Sequence, residues 1–253
     1  MNFYLSLALL LLFSSWSAFG STHLLLVGGG ARPDSAIRRF VEWAGGEQSR
    51  ILIMGWASGI PGDYARSLSA EFSARGVAQV LVSERPPENA EERGRFLSLL
   101  ASATGVFFTG GDQNRAMEAI DFWNFRTELR SHFERGVPFA GTSAGTALMA
   151  QAMITGRESP RTSSGLGLFA PAVIDMHFLK RSREIRLIAA MESSGVPYGI
   201  GVDEDGALAI EDSVRAEVLG APHVVFYEAK EGQILRYELQ DREAFDLRHW
   251  RPE

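Results

Sequence analysis

Short apolar runs that are continuous, where a half-exposed strand would alternate, constrain this chain more than anything else in it. They are His23-Leu24-Leu25-Leu26-Val27, which ends in Gly28-Gly29-Gly30; Arg50-Ile51-Leu52-Ile53-Met54; Ala78 to Val82; and Gly105-Val106-Phe107-Phe108-Thr109, closed by Gly110-Gly111-Asp112-Gln113. A fifth, Val137 to Ala140, follows Gly136. The stretches between them have helical spacing: Ser35 to Ala44 with Ser35 as cap, Tyr64 to Arg75, Ala90 to Ser102, and about Asn114 to Glu134, broken near Trp123. A strand apolar on both sides is buried on both faces. The alternation therefore predicts an α/β fold whose mainly parallel sheet carries helices on both faces. Ligands of such sheets bind beyond the carboxyl ends of the strands. Gly28 to Gly30, the loop after Met54, Gly110 to Gln113 and Ser143 all fall at those ends.

The later part reads differently. Ala172-Val173-Ile174-Asp175 leads to His177 and a helix from about Ser182 to Ser193. After Pro197, five short apolar segments separated by turn residues predict a β-rich C-terminal part. With no linker, repeat or low-complexity tract, residues 21–253 read as a single domain, and 253 residues at 45% hydrophobic content can bury a substantial core. Residues 1–20 carry no charged side chain. Their apolar run from Phe3 to Phe13 is too short to span a bilayer, and Ala18-Phe19-Gly20 suits a signal peptidase. The expectation is an export signal cleaved before Ser21, a periplasmic or extracellular location, and no membrane contact afterwards. A net charge of −6 gives no reason to expect nucleic acid as a partner. The absence of cysteine rules out disulfides, thiolate metal sites and a cysteine nucleophile.

The chemistry centres on Gly141-Thr142-Ser143-Ala144-Gly145. A strand, then G-x-S-x-G, then small apolar residues (Ala147 to Ala150) that read as a helix form the pattern of a nucleophile elbow. The helix start would aim free N–H groups at developing negative charge. The same pentapeptide also fits a simple tight turn. A serine nucleophile needs a base and usually an acid to orient it. Five histidines are available: His23, His132, His177, His223 and His249. His177 stands at the end of an apolar strand, beside Asp175. Asp203, Glu204 and Asp205 follow another apolar segment, where they are candidate acids or a hydrated turn closed by Gly206; Glu158 is a rival acid. Gly110-Gly111 could add a backbone N–H to the one from Ala144 in an oxyanion hole. Lys180, Arg181, Arg183 and Arg186 form either a solvated basic face or a clamp for a substrate carboxylate. Gly28 to Pro33 is not a dinucleotide fingerprint, and with no P-loop or H-E-x-x-H pairing no metal, nucleotide or other cofactor is implied.

Taken in order, Phe108 to Gln113, Gly141 to Gly145, Asp175-Met176-His177-Phe178 with Arg181, Arg183 and Arg186, and Gly201-Val202-Asp203-Glu204 resemble the cyanophycinase and aspartyl dipeptidase family of serine peptidases, peptidase family S51. The resemblance implies a class I glutamine amidotransferase-like fold with serine in place of cysteine. It implies Ser143 as nucleophile, His177 as general base and acid, Glu204 as orienting acid, and Gly111 and Ala144 as oxyanion donors. Gln113, Asp175, Arg181, Arg183 and Arg186 would grip an aspartyl residue and its neighbour, and a homodimer would be the assembly. The Gln113 and three-arginine pattern is nearer the cyanophycinases, which release β-aspartyl-arginine dipeptides, than the dipeptidases, which cleave after an N-terminal aspartate. Met176 stands where cyanophycinases carry glutamine, and methionine donates no amide hydrogen bond. The expectation is an exported serine exopeptidase or dipeptidase acting on an aspartyl peptide or a cyanophycin-like polymer. Two alternatives remain. One is an α/β-hydrolase esterase using Asp203 or Asp205 with His223; the other is a relative that binds aspartyl peptides without cutting them.

Overall fold

The structure is a computed structural model, and it describes residues 20–155, 160–220 and 223–253. The anticipated export signal, apart from Gly20, and Glu158 lie outside the described residues. The first half alternates strand and helix: β1 (His23–Val27), α1 (Asp34–Trp43), β2 (Arg50–Met54), α2 (Pro61–Ser73), β3 (Gln79–Ser83), α3 (Ala90–Ser102) and β4 (Gly105–Phe108). Then come α4 (Gln113–Phe122), α5 (Arg126–Glu134), β5 (Phe139–Thr142) and a single turn, α6 (Ala144–Ala147). The break near Trp123 is a left-handed Asn124 (φ 55°), after which Phe125 N–H donates back to Ile120 O. The second half holds β6 (Ala152–Thr155), β7 (Arg161–Ser164), β8 (Val173–Met176), α7 (Glu184–Ser194), β9 (Tyr198–Val202), β10 (Ala207–Glu211) and β11 (Arg215–Leu219). The chain ends with β12 (Val224–Lys230), β13 (Gln233–Leu239), β14 (Ala244–Asp246) and β15 (Arg251–Pro252).

These strands build two sheets. The first runs β15-β14-β11-β10-β1-β5-β4-β2-β3, with β1, β5, β4, β2 and β3 parallel and the other four added antiparallel. The second runs β13-β12-β9-β8-β6-β7, with β6, β8 and β9 parallel. The β-rich C-terminal part is thus shared out: β10, β11, β14 and β15 widen the first sheet, while β9, β12 and β13 build the second.

The continuous apolar runs have a direct physical reading. Leu25, Val27, Ile51, Ile53, Phe107 and Ala140 point to one face of the first sheet, against Ile37 and Phe40 of α1 and Leu68 and Phe72 of α2. Their alternates Leu24, Leu26, Leu52, Met54, Val106, Phe108 and Phe139 point to the other face. There they join α3, α4 and α5 and, in the same cluster, Ile174, Ile200, Val202 and Phe226 of the second sheet. A third cluster packs α7, through Leu187, Ala190 and Met191, on the outer face of the second sheet. Because one apolar cluster spans both sheets, the carboxyl ends of β1, β4 and β5 are held against those of β8 and β9.

Candidate active site

Ser143 follows β5 with φ 51° and ψ −114°, outside the ordinary regions for a residue with a side chain. The surrounding packing enforces that turn. A Cβ on Gly141 would lie 2.3 Å from the carbonyl of Gly145, and one on Gly145 would lie 2.3 Å from Phe108 O. Ser143 N–H donates to Val27 O at 3.0 Å, and the buried Thr146 hydroxyl lies 2.7 Å from Val27 O and 2.8 Å from Gly141 O. Thr146 is a member of the elbow that sequence reasoning missed; its signal was a hydroxyl inside an otherwise apolar stretch.

The helix expected after the elbow is a correction. It lasts one turn, because Leu148 O and Met149 O accept from the N–H groups of Leu166, Leu168 and Phe169. A single turn has little macrodipole. What it does contribute is the Ala144 N–H, at a position with no intrahelical acceptor.

His177 follows β8 and, like Ser143, has a positive φ, 51°. Its N–H donates to Gly28 O at 2.9 Å. Its Nε2 lies 2.7 Å from Ser143 Oγ, and its Nδ1 lies 2.6 Å from Oε1 of Glu204, which follows β9. The three residues meet across the seam between the two sheets, where the sequence suggested the rim of one. The glycine run after β1 is the surface they share. A Cβ on Gly29 (φ 121°) would lie 2.2 Å from His177 Cε1, so the imidazole rests directly on bare backbone. Gly29 O accepts from Asp205 N–H at 2.9 Å, which ties the Glu204 turn to the same run. Burial lowers the pKa of His177 below the usual histidine value. Its hydrogen bond to Glu204 opposes that, and the positive charges of Arg181 and Arg183 add to it.

The remaining acids and bases are engaged elsewhere. His223 pairs with Glu238 and His249 with Asp246, while His132 faces Glu128 O and His23 packs on Trp43. Asp203 accepts from Lys180 N–H at 3.0 Å and Asp205 from Ala31 N–H at 2.5 Å. The serine–acid–His223 arrangement of an α/β-hydrolase is therefore not formed.

Ser143 opens on a cavity of about 310 Å³ lined by Gly111, Gln113, Asn114, Met176 and His177 and by Arg181, Arg183 and Arg186. Gln113 spends its amide nitrogen on Ile154 O at 2.9 Å. Asp175 does not line this cavity. It is fully buried, with one oxygen 3.2 Å from Arg183 Nη1 and the other 3.2 Å from Arg186 Nε, and Met176 N–H donates to it at 2.9 Å. Burial raises the Asp175 pKa, against the pull of Arg186 and Arg183. Its carboxylate holds the arginines rather than facing a ligand. Among the described residues no group of three or more His, Asp or Glu side chains is arranged to hold a metal ion, and no helix is long and apolar enough to cross a membrane.

The family model of peptidase family S51 matches residues 24–218. A cyanophycinase from Synechococcus elongatus is 31% identical over 234 residues, 86% of this chain and 72% of that protein. A peptidase E from Streptomyces coelicolor is 31% identical over 133 residues, covering 47% of this chain and 54% of that one. Among solved structures, a peptidase from an acI-B1 Actinobacterium shares the fold with a TM-score of 0.70 at 19% identity, over 90% of this chain and 97% of the other. On the match over residues 24–218 and the cyanophycinase identity, the chain belongs to peptidase family S51 and is a serine peptidase.

Proposed function

We propose that the protein is an exported exopeptidase or dipeptidase that hydrolyses aspartyl peptide bonds, with β-aspartyl, cyanophycin-like chains as its substrates and Ser143, His177 and Glu204 as its catalytic residues. The observation that carries this reading is the unbroken file from Ser143 Oγ to His177 Nε2 and from His177 Nδ1 to Glu204, at 2.7 and 2.6 Å. His177 Nε2 takes the hydroxyl proton as Ser143 Oγ bonds to the scissile carbonyl carbon, and Glu204 accepts Nδ1–H and balances the imidazolium. The carbonyl electrons collect on an oxygen facing the N–H groups of Gly111 and Ala144. As the C–N bond breaks, His177 returns its proton to the leaving amine. Water then repeats the sequence on the acyl-serine, releasing the acid and restoring the hydroxyl.

The substrate class rests on charge. Three guanidinium groups flank a cavity that opens on the serine, which suits a ligand carboxylate. Met176, buried in the same wall, replaces a polar amide by an apolar thioether, so the acyl part of the substrate meets a less polar surface there. A second cavity of about 450 Å³ shares the lining residue Asn114 with the first. Export rests on the uncharged, apolar run in residues 1–20.

The test is incubation of the chain from Ser21 onward with cyanophycin and with α- and β-aspartyl dipeptides, followed by mass analysis of the products. Release of β-aspartyl dipeptides, abolished in Ser143→Ala with the melting temperature nearly unchanged, is the expected result. Turnover retained by Ser143→Ala would refute the mechanism. Cleavage confined to α-aspartyl peptides would refute the substrate class alone.

A further inference from the structure

The loop after β2 is buried at Trp56, Ala57 and Ser58, so its backbone carbonyls need donors from the protein. Those donors come from the start of α4. Arg115 Nε donates to Trp56 O at 3.2 Å, and Arg115 Nη2 donates to Ala57 O. The N–H of Asp112 donates to the same Ala57 oxygen at 2.9 Å. Gly111 is pressed against that point as well, since a Cβ there would lie 2.0 Å from Ala57 O. Asp112 in turn caps α4, accepting from Asn114 N–H at 2.9 Å. A helical side chain covers the turn N-terminal to its own Cα, which is how residue 115 reaches back over the loop. Loop, glycine and helix start therefore form one closed unit, with the guanidinium as its fastener.

We propose that Arg115 is a positioning residue for catalysis: by clamping the carbonyls of Trp56 and Ala57 it fixes the backbone of Gly111, whose N–H faces the developing oxyanion. The inference rests on the role given to Gly111 in the proposed function. Arg115 does not line the cavity at Ser143. It lines a separate concavity with Gly55, Pro61 and Glu84, so it acts without touching the substrate. A donor that drifts by a fraction of an ångström loses charge stabilisation in the transition state and leaves ground-state binding alone. Lysine is a poor substitute, because one ammonium cannot hold two consecutive carbonyls in the geometry of a planar guanidinium.

The experiment compares wild type, Arg115→Met and Arg115→Lys. It reads the rate at which a fluorophosphonate modifies Ser143, and kcat and KM for an aspartyl peptide per modifiable site. It also reads the Kd for that peptide with Ser143→Ala as background. In Arg115→Met, modification rate and kcat should both fall about tenfold, with KM and Kd within about twofold of the parent. Arg115→Lys should lie between, and it carries the test if the methionine variant does not fold. A modification rate equal to wild type, a loss confined to KM and Kd, or a lowered melting temperature with unchanged rate per site would each overturn the assignment. If wild type is modified at Ser143 yet cleaves no aspartyl peptide, the substrate class fails and the modification rates still decide Arg115. Failure of the reagent to modify wild-type Ser143 would overturn both.

Discussion

The imidazole of His177 can accept the Ser143 proton only when it is neutral, and its surroundings favour that form. Burial lowers its pKa, so protonation and loss of the base occur below the ordinary histidine value of about 6.5. Hydrolysis should rise with pH along an acid limb centred below that value and then level off; a limb centred at or above 6.5 would contradict this environment. Glu204 raises the His177 pKa, so Glu204→Gln should move the limb to lower pH. It should also cost on the order of 10⁴-fold in kcat through loss of tautomer and orientation. Gly29→Ala tests the bare backbone beneath the ring. Its methyl would sit 2.2 Å from Cε1, and displacing the imidazole by about 1 Å should cost about 10² in kcat with little change in KM, read by steady-state kinetics. The places of Ser143, His177 and Glu204 at strand ends were legible in the apolar runs that precede them. Their contact was implied by the family resemblance and not by those runs, because it depends on how two sheets meet. Arg115 was invisible for a similar reason, since its partners are carbonyls nearly 60 positions away in a loop.

Among the elements, α7 and β8 are joined by charge as well as by packing. Asp175, fully buried, faces Arg183 and Arg186 from beneath the cavity. Asp175→Asn would leave those guanidinium groups without their counter-charge, at a cost of roughly 3 kcal/mol, or about 6–12 °C in melting temperature for a domain of this size. It should also raise KM for acidic peptides as the arginines lose their orientation; calorimetry and kinetics on one preparation check both. A contrasting change lies at α3, where Asn89 caps the helix through Glu92 N–H at 3.0 Å. Asn89→Ala should cost about 1 kcal/mol, seen in a urea melt, and leave kcat untouched because no site residue rests on that helix. The parallel strands were readable because both faces are apolar. The hairpin of β6 and β7 was not, since Arg161-Thr162-Ser163-Ser164 is polar and exposed along most of its length and has no apolar signature. Nor could the sequence reveal that α6 would stop after one turn, because the competing donors come from residues 166–169.

For the molecule as a whole, the decisive feature is the apolar cluster shared by the two sheets. Separate unfolding of either sheet would expose that cluster, so the domain should lose its structure in one cooperative step. Trp56 belongs to the first sheet's side, and Trp250 packs on Phe226 and Tyr198 of the second. Tryptophan fluorescence, near-ultraviolet circular dichroism and peptide hydrolysis should share one urea midpoint; separated midpoints would show that the sheets are independent. Alternation of strand and helix predicted the layering of the first sheet, but apolar alternation carries no label saying which sheet a later strand joins. That partition has a consequence for the order of biosynthesis. Ser143 is translated first, His177 and Glu204 follow in loops of the other sheet, and only afterwards does β10 arrive to flank β1. Any fragment that stops short of β10 carries a serine on an unfinished scaffold. Hydrolytic competence should therefore await β10, and a fragment ending before Ala207 should neither cleave an aspartyl peptide nor react with a fluorophosphonate at Ser143.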